Sequence, residues 1–260
     1  MGQRKPTVIK NFLEEKTLFY NNTSFIETDP VSIPHLFSKK EDIEISGFLT
    51  ATIAWGQRTT ILKNARSLMY LMDDSPHAFI TGFSQKDLKP FQHFVHRTFN
   101  GVDCICFLKE LRNIYLHHDG LEKVFFRGIG TSDTDLGNAI SEARKTFFDQ
   151  EHPKRCEKHF SNPAAGSAAK RINMYLRWMV RKDNCGVDFG IWKSISPSLL
   201  SCPLDVHSGR VARKLGLLKR KQNDWKATQE LTAQLRKMDP IDPVKYDFAL
   251  FGLGVFEKFQ

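Results

Sequence analysis

Apolar residues along this chain recur at intervals of three and four far more often than they alternate, so the pattern predicts helices and very little sheet. The strongest repeat opens at Gly166, in GSAAKRINMYLRWMVR, where Ile172, Tyr175, Leu176, Met179 and Val180 form one buried stripe. At 3.6 residues per turn, Lys170, Met174, Arg177 and Arg181 then project from the opposite side, with Ser167 as the expected N-cap. Downstream, Pro203-Leu204-Asp205 precedes VHSGRVARKLG. There Asp205 has the chemistry of an N-cap and Gly216 that of a left-handed terminator. Val211, Leu215 and Leu218 mark the inner face of this second helix, and Arg210, Arg213 and Lys214 the outer one.

The same reasoning lays out the rest of the chain. A first helix is predicted over residues 8–20, and Asp29-Pro30 opens a short one to about Phe37. Ser38 to Glu41 fits a capping box leading into IEISGFLTATIAWGQ, whose stripe is Ile45, Phe48, Leu49, Thr52 and Ile53. A helix from Thr60 to about Met72 turns Leu62, Ala65, Leu68 and Met69 inward. Ser84 to Asp87 is a further cap signal, and Asp103 caps a helix running to Leu116. Further helices are expected from Thr134 to Gln150, from Trp225 to Met238 behind Asp224, and from Pro243 behind Asp242. Residues 151–166 read as a surface connection. The prediction is an all-α chain, one domain spanning 1–260 in two helical lobes, with the segment 160–217 between them.

Composition narrows the class. The 38 Lys and Arg against 29 Asp and Glu leave a formal charge of +9, which points to a polyanionic partner, most often nucleic acid. No run of 18 apolar residues occurs, so no membrane span is expected. The charged start has no apolar core of a secretory signal, and Gly2 lacks the spacing of a myristoylation site. The five cysteines are odd in number and irregular in spacing, which fits reduced thiols in the cytoplasm. His152, Cys156 and His159 have ligand-like spacing without a fourth partner, and no iron–sulfur pattern occurs, so neither metal nor cofactor is expected. His93 and His96 read as neighbours on a helix face, solvated or at the edge of the core.

Three segments carry a resemblance, in the correct order. PLDVHSGRVARKLGLL resembles the aspartate-bearing run of the helix-hairpin-helix DNA glycosylases, SGFLTATIAWGQRTTILKNARSLM their early helix-turn-helix, and YDFALFGLG their closing helix. Within that superfamily the chain looks closest to the archaeal-type 8-oxoguanine glycosylases and to an uncharacterised bacterial family related to them. The likeness covers roughly residues 40–255. It departs from the usual pattern at the hairpin, where NPAAGSAAK stands and Lys170 falls four residues after Gly166.

The resemblance implies a double-stranded DNA substrate with a damaged base, an oxidised purine such as 8-oxoguanine, handled by a monomer. Asp205 takes the place of the catalytic aspartate, a fixed carboxylate that stabilises positive charge growing on the sugar. Read without the resemblance, Asp205 is simply an N-cap. Lys170 is the candidate nucleophile, attacking the sugar C1′ to give a Schiff base, with Lys193 and Lys182 as the other candidates. Such an amine must be neutral, a state that nearby cations such as Arg171, Arg177 and Arg181 favour. Gln57 is the candidate for reading the base edge, with Trp55, Phe251 and Phe248 for stacking. Most of the 21 phenylalanines must be core, and Trp178 and Trp192 fit either core or pocket. Phosphates are assigned to the backbone of the turn holding Gly166 and Ser167, with Arg171, Arg210 and Arg213. Two rivals share the pattern: a monofunctional glycosylase in which Asp205 activates water, and a helical DNA-binding module without chemistry.

Overall fold

The computed structural model describes residues 6–257 and 259; Gly2 lies outside them. Eleven α-helices and one two-stranded hairpin occur among the described residues, so the helical prediction holds. The chain divides into two compact units: 1–25, 132–137 and 162–260 form the first, 26–131 and 138–161 the second. The whole stretch from Gly166 to Gly216 therefore belongs to the first unit.

In the second unit, α2 (Lys40–Thr52) is buried from Ile43 to Thr52 on every side, broader than the single stripe its spacing suggested. Its N-cap position is Lys39, not Ser38, and no side chain caps it. Helix α3 (Arg58–Tyr70) begins two residues before the expected Thr60 and turns Ile61 inward where Leu62 was expected. Asp29 accepts from the Val31 amide, but Pro34 divides the short helix expected there into two 3-10 turns. Asp87 accepts from Ser84 and closes a tight turn, with no helix following directly. His96 lies in β1 (Val95–His96), paired antiparallel with β2 (Phe99–Asn100), so His93 and His96 share no helix. The N-cap of α5 (Gly101–His117) is Asn100, and Asp103 is the returning arm of its capping box. The core is aromatic: Phe48, Phe107, Phe147 and Phe160 interlock at centroid distances of 5.1–6.1 Å. The predicted surface connection is partly core, since Cys156 is fully buried and His159 nearly so. Helix α7 (Gly137–Phe147) is shorter at both ends than expected, Asp135 accepting from the Gly137 amide.

Four helices of the first unit are α1 (Pro6–Tyr20), α8 (Lys170–Val180), α10 (Trp225–Met238) and α11 (Asp247–Val255). A fifth, α9 (Val206–Lys214), carries Asp205 as its N-cap and ends at Leu215 before Gly216 at φ 74°. Asp224 caps α10 as predicted. Asp242 makes no capping bond, because its carboxylate is taken by Arg181; α11 starts at Asp247 after a 3-10 turn from Pro243 to Tyr246. Leu13, Val211, Leu215, Leu231, Leu235, Leu250 and Leu253 form the shared core.

Two glycines in α11 set how closely this unit closes. A Cβ at Gly252 would meet the Tyr20 ring at 2.3 Å, and one at Gly254 would meet His207 at 3.0 Å. Helix α11 thus lies flat against α1 on one side and the first turn of α9 on another. Gly252→Ala should lose about 1–3 kcal/mol of stability through forced displacement of Tyr20, the usual scale of overpacking. Urea unfolding at unchanged m-value checks this, and a variant as stable as the parent would contradict the close approach.

Candidate active site

Lys170 is the first residue of α8 and Asp205 the cap of α9, and the fold brings them together: Lys170 Nζ lies 3.9 Å from Asp205 Oδ2. Both side chains are partly exposed, so a ligand can reach them. The two carboxylate oxygens have separate tasks. Oδ1 accepts from the His207 and Ser208 amides at 2.8 and 3.0 Å, and Oδ2 faces the lysine. Ser208 Oγ receives the Asp205 amide at 3.0 Å, closing a capping box that fixes the carboxylate. The Lys170 amine also lies 3.9 Å from the Met174 sulfur, one turn along. Among the described residues no other lysine comes within ion-pair reach of Asp205. Lys193 donates to the Gly190 carbonyl, and Lys182 lies exposed in the loop after α8.

The turn before α8 differs from expectation. Ser167 is not the N-cap; that position is Ala169, in the left-handed region at φ 47° and fully buried. Ser167 Oγ instead accepts from the Ala169 amide at 3.2 Å, and Gly166 takes φ 86°. Backbone donors expected to open toward a phosphate are consumed within the turn: Gly166 donates to Pro163 and Ser167 to Asn162. The donors left without intrahelical partners are those of the first turn of α8 itself. The turn is in turn stitched to the start of α10, where the Trp225 amide donates to the Gly166 carbonyl at 3.0 Å.

Below Lys170, Arg177 and Arg181 do not present open positive charge. Both are buried, because four aspartates receive them. Arg177 binds Asp247 at 2.6 Å and Asp188 at 3.2 Å; Arg181 binds Asp183 at 2.7 Å, Asp242 at 2.9 Å and Asp188 at 3.0 Å. Phe248 is fully buried beneath these guanidinium groups, 4.3 Å from Arg177 and 5.4 Å from Arg181. It is therefore a platform for arginine and offers no face to a base. Phe251 remains half-exposed, edge-on to Phe25 and Phe256. Trp178 and Trp192 are core residues. Arg171 is half-buried at the first turn of α8, and Arg210 is exposed on α9. Arg213 spends its guanidinium on the carbonyls of Arg220 and Lys221.

Trp55 and Gln57 belong to the second unit, in the loop between α2 and α3. The half-exposed Trp55 ring stacks on His159 at 5.9 Å and meets His96 edge-on at 5.0 Å. Gln57 is exposed at the N-cap position of α3 and makes no capping bond with its amide.

The acid that sequence reasoning passed over is Asp247. Its signal was a single carboxylate opening the apolar run DFALFGLG. It is buried, receives Arg177, and has the Cys202 thiol 3.9 Å from its other oxygen. Burial pushes its carboxyl from the usual 3.8 up to about 6, against the opposing pull of Arg177 and Lys170. No group of three or more His, Cys, Asp or Glu placed to hold a metal ion occurs among the described residues. None of their helices is long and apolar enough to cross a membrane.

Because the folded carboxyl binds its proton more tightly than the unfolded one, the native state holds the extra proton between pH 3.8 and about 6. This contribution to stability is full below the unfolded value and is lost as pH rises through the folded one. Relative to Asp247→Asn, the parent chain should therefore lose stability as pH is raised from 4 to 7, and the Asp247 carboxyl carbon should titrate near 6 by NMR. A carboxyl that titrates below 4 would contradict this placement.

Compared with known proteins, residues 29–256 match the family described as Protein of unknown function (DUF2400). No curated protein and no solved structure matches the chain.

Proposed function

We propose that this chain, which belongs to the DUF2400 family, is a base-excision DNA glycosylase with abasic-site lyase activity. In this proposal it works in the cytoplasm as a monomer on double-stranded DNA and removes an oxidised purine such as 8-oxoguanine. The observation that supports it is the 3.9 Å approach of Lys170 to Asp205, two residues 35 positions apart that head different helices. A carboxylate that served only as a helix cap would need one oxygen for the amides of α9. Asp205 keeps a second oxygen on an accessible amine.

The chemistry follows from that pair. The Lys170 amine donates its lone pair to C1′ of an extruded nucleotide, and the bond from C1′ to the base nitrogen breaks with its electrons leaving on the base. The departing base then takes up the proton that the Lys170 nitrogen sheds on bonding to C1′. Positive charge that develops on the sugar ring lies within reach of Asp205 Oδ2, which stabilises it. Opening of the ring at the C1′–O4′ bond gives an iminium to Lys170. Loss of a C2′ proton then expels the 3′ phosphate. Within the first unit, the stacking surface is assigned to Phe251, and strand phosphates to the first turn of α8 with Arg171 and Arg210. Gly166 and Ser167 shape that turn, and Phe248 supports the arginines behind it.

Base release and strand nicking on a duplex carrying 8-oxoguanine test the proposal. Asparagine retains the N-cap, so Asp205→Asn should fold normally by circular dichroism while turnover falls by about 10²–10³-fold. Lys170→Gln should abolish nicking. Loss of nicking with base release retained would point to the monofunctional enzyme. Parent-like rates in both variants, or no turnover of any oxidised purine by the parent chain, would sink the assignment.

A further inference from the structure

Downstream of Asp205, the outer face of α9 and the loop after Gly216 enclose an open hollow of about 550 Å³. Its lining is Val206, Arg210, Arg213, Lys214, Lys221 and Asn223, with four cations and no carboxylate. Arg210 and Lys214 stand one turn apart on the same helix, a like-charge spacing that destabilises an isolated helix. Along with Lys221 they are exposed and form no ion pair among the described residues. Across much of this unit arginines are neutralised by aspartates, so cations gathered without a counter-charge stand out.

The hollow is built by its own polar bonds. Arg213 folds back over the loop, donating to the Arg220 carbonyl at 2.8 Å, the Lys221 carbonyl at 2.9 Å and Asn223 Oδ1 at 2.6 Å. Asn223 in turn donates to the Asp205 carbonyl at 2.9 Å, fastening the loop to the residue that faces Lys170. Gly209 is the opening that permits this: a Cβ there would meet Arg213 Nη1 at 2.9 Å and Asn223 Oδ1 at 3.0 Å. Arg213 is thus the strut, and Arg210, Lys214 and Lys221 are the cations it leaves available.

We infer that this hollow seats a backbone phosphate of the bound strand, a few nucleotides from the sugar held at Lys170 and Asp205. The inference rests on the proposal that the Lys170–Asp205 pair acts on nucleic acid, and it deepens that reading by placing the Arg210 phosphate contact in this hollow with Lys214 and Lys221. Arg210 and Lys214 follow Asp205 by five and nine residues, roughly 7 and 13 Å along the helix axis at 1.5 Å per residue. Successive phosphates of one strand rise by about 3.4 Å along a duplex, so a hollow at this separation lies within reach of the same strand. It also supplies anchoring that the turn at Gly166 and Ser167, with its donors already used, does not.

Fluorescence anisotropy with an undamaged 20-base-pair duplex over a range of KCl concentrations reads this contact in the full chain. The double variant Lys214→Gln/Lys221→Gln should bind several-fold more weakly and flatten the slope of log affinity against log salt by about 0.9, the value for one phosphate lost. The charge-matched control Lys226→Gln/Lys237→Gln, on exposed positions of α10, should leave the slope unchanged. Gly209→Ala, which displaces the strut without removing charge, should weaken binding in the same direction. An unchanged slope in the double variant overturns the inference, as does a parent chain that binds no duplex. A phosphorus NMR signal showing that the hollow takes inorganic phosphate, alongside an unchanged duplex slope, also overturns it. A slope that falls as expected in a chain that releases no base would instead retire the glycosylase proposal and leave this contact standing.

Discussion

The first unit depends on the compensation of two buried cations. Arg177 and Arg181 lie on the inward side of α8, where an unpaired guanidinium would carry a desolvation cost of several kcal/mol. Asp188 joins both arginines, Asp247 brings in α11, and Asp183 and Asp242 bring in the segments on either side. A hydrophobic replacement of such a network is often as stable, so stability alone does not account for it. What the network does fix is direction. It holds α8 against α11 with its first residue, Lys170, turned toward Asp205.

Close packing completes what the charges begin. Asp247 sits at the head of α11, and five and seven residues later Gly252 and Gly254 let that helix press against Tyr20 and His207. His207 donates its amide to Asp205, so the packing of α11 bears directly on the carboxylate. Gly209 does the corresponding work on the outer face of α9, where Arg213 and Asn223 lie across the helix. The short runs HSGR and FGLG are therefore places where side-chain bulk has been removed to let polar groups reach the site.

Helices were legible because their signals are local. Asp205, Asp224 and Gly216 act on residues two to four positions away, and all three do what their spacing predicts. The approach of Lys170 to Asp205 was legible only as what the resemblance implies, since nothing in the 34 intervening residues encodes a contact. Signals failed where a distant partner outbid a local one. Asp242 has the form of a cap, but Arg181 claims it; Arg177 has the spacing of an exposed face, but Asp188 and Asp247 draw it inside. Phe248 looked like a stacking residue and is the floor under those arginines. Ser167 lost the cap because Ala169 adopts a left-handed backbone, which no propensity for alanine foretells.

The central claim is that the Lys170 amine reacts with a sugar carbon beside Asp205. Borohydride trapping tests this most directly: the chain is incubated with a duplex containing an abasic site, reduced, digested and mapped by mass spectrometry. The account predicts a covalent DNA adduct on Lys170, absent in Lys170→Gln. An adduct on Lys182 or Lys193, or no adduct under conditions where the duplex is bound, would contradict it.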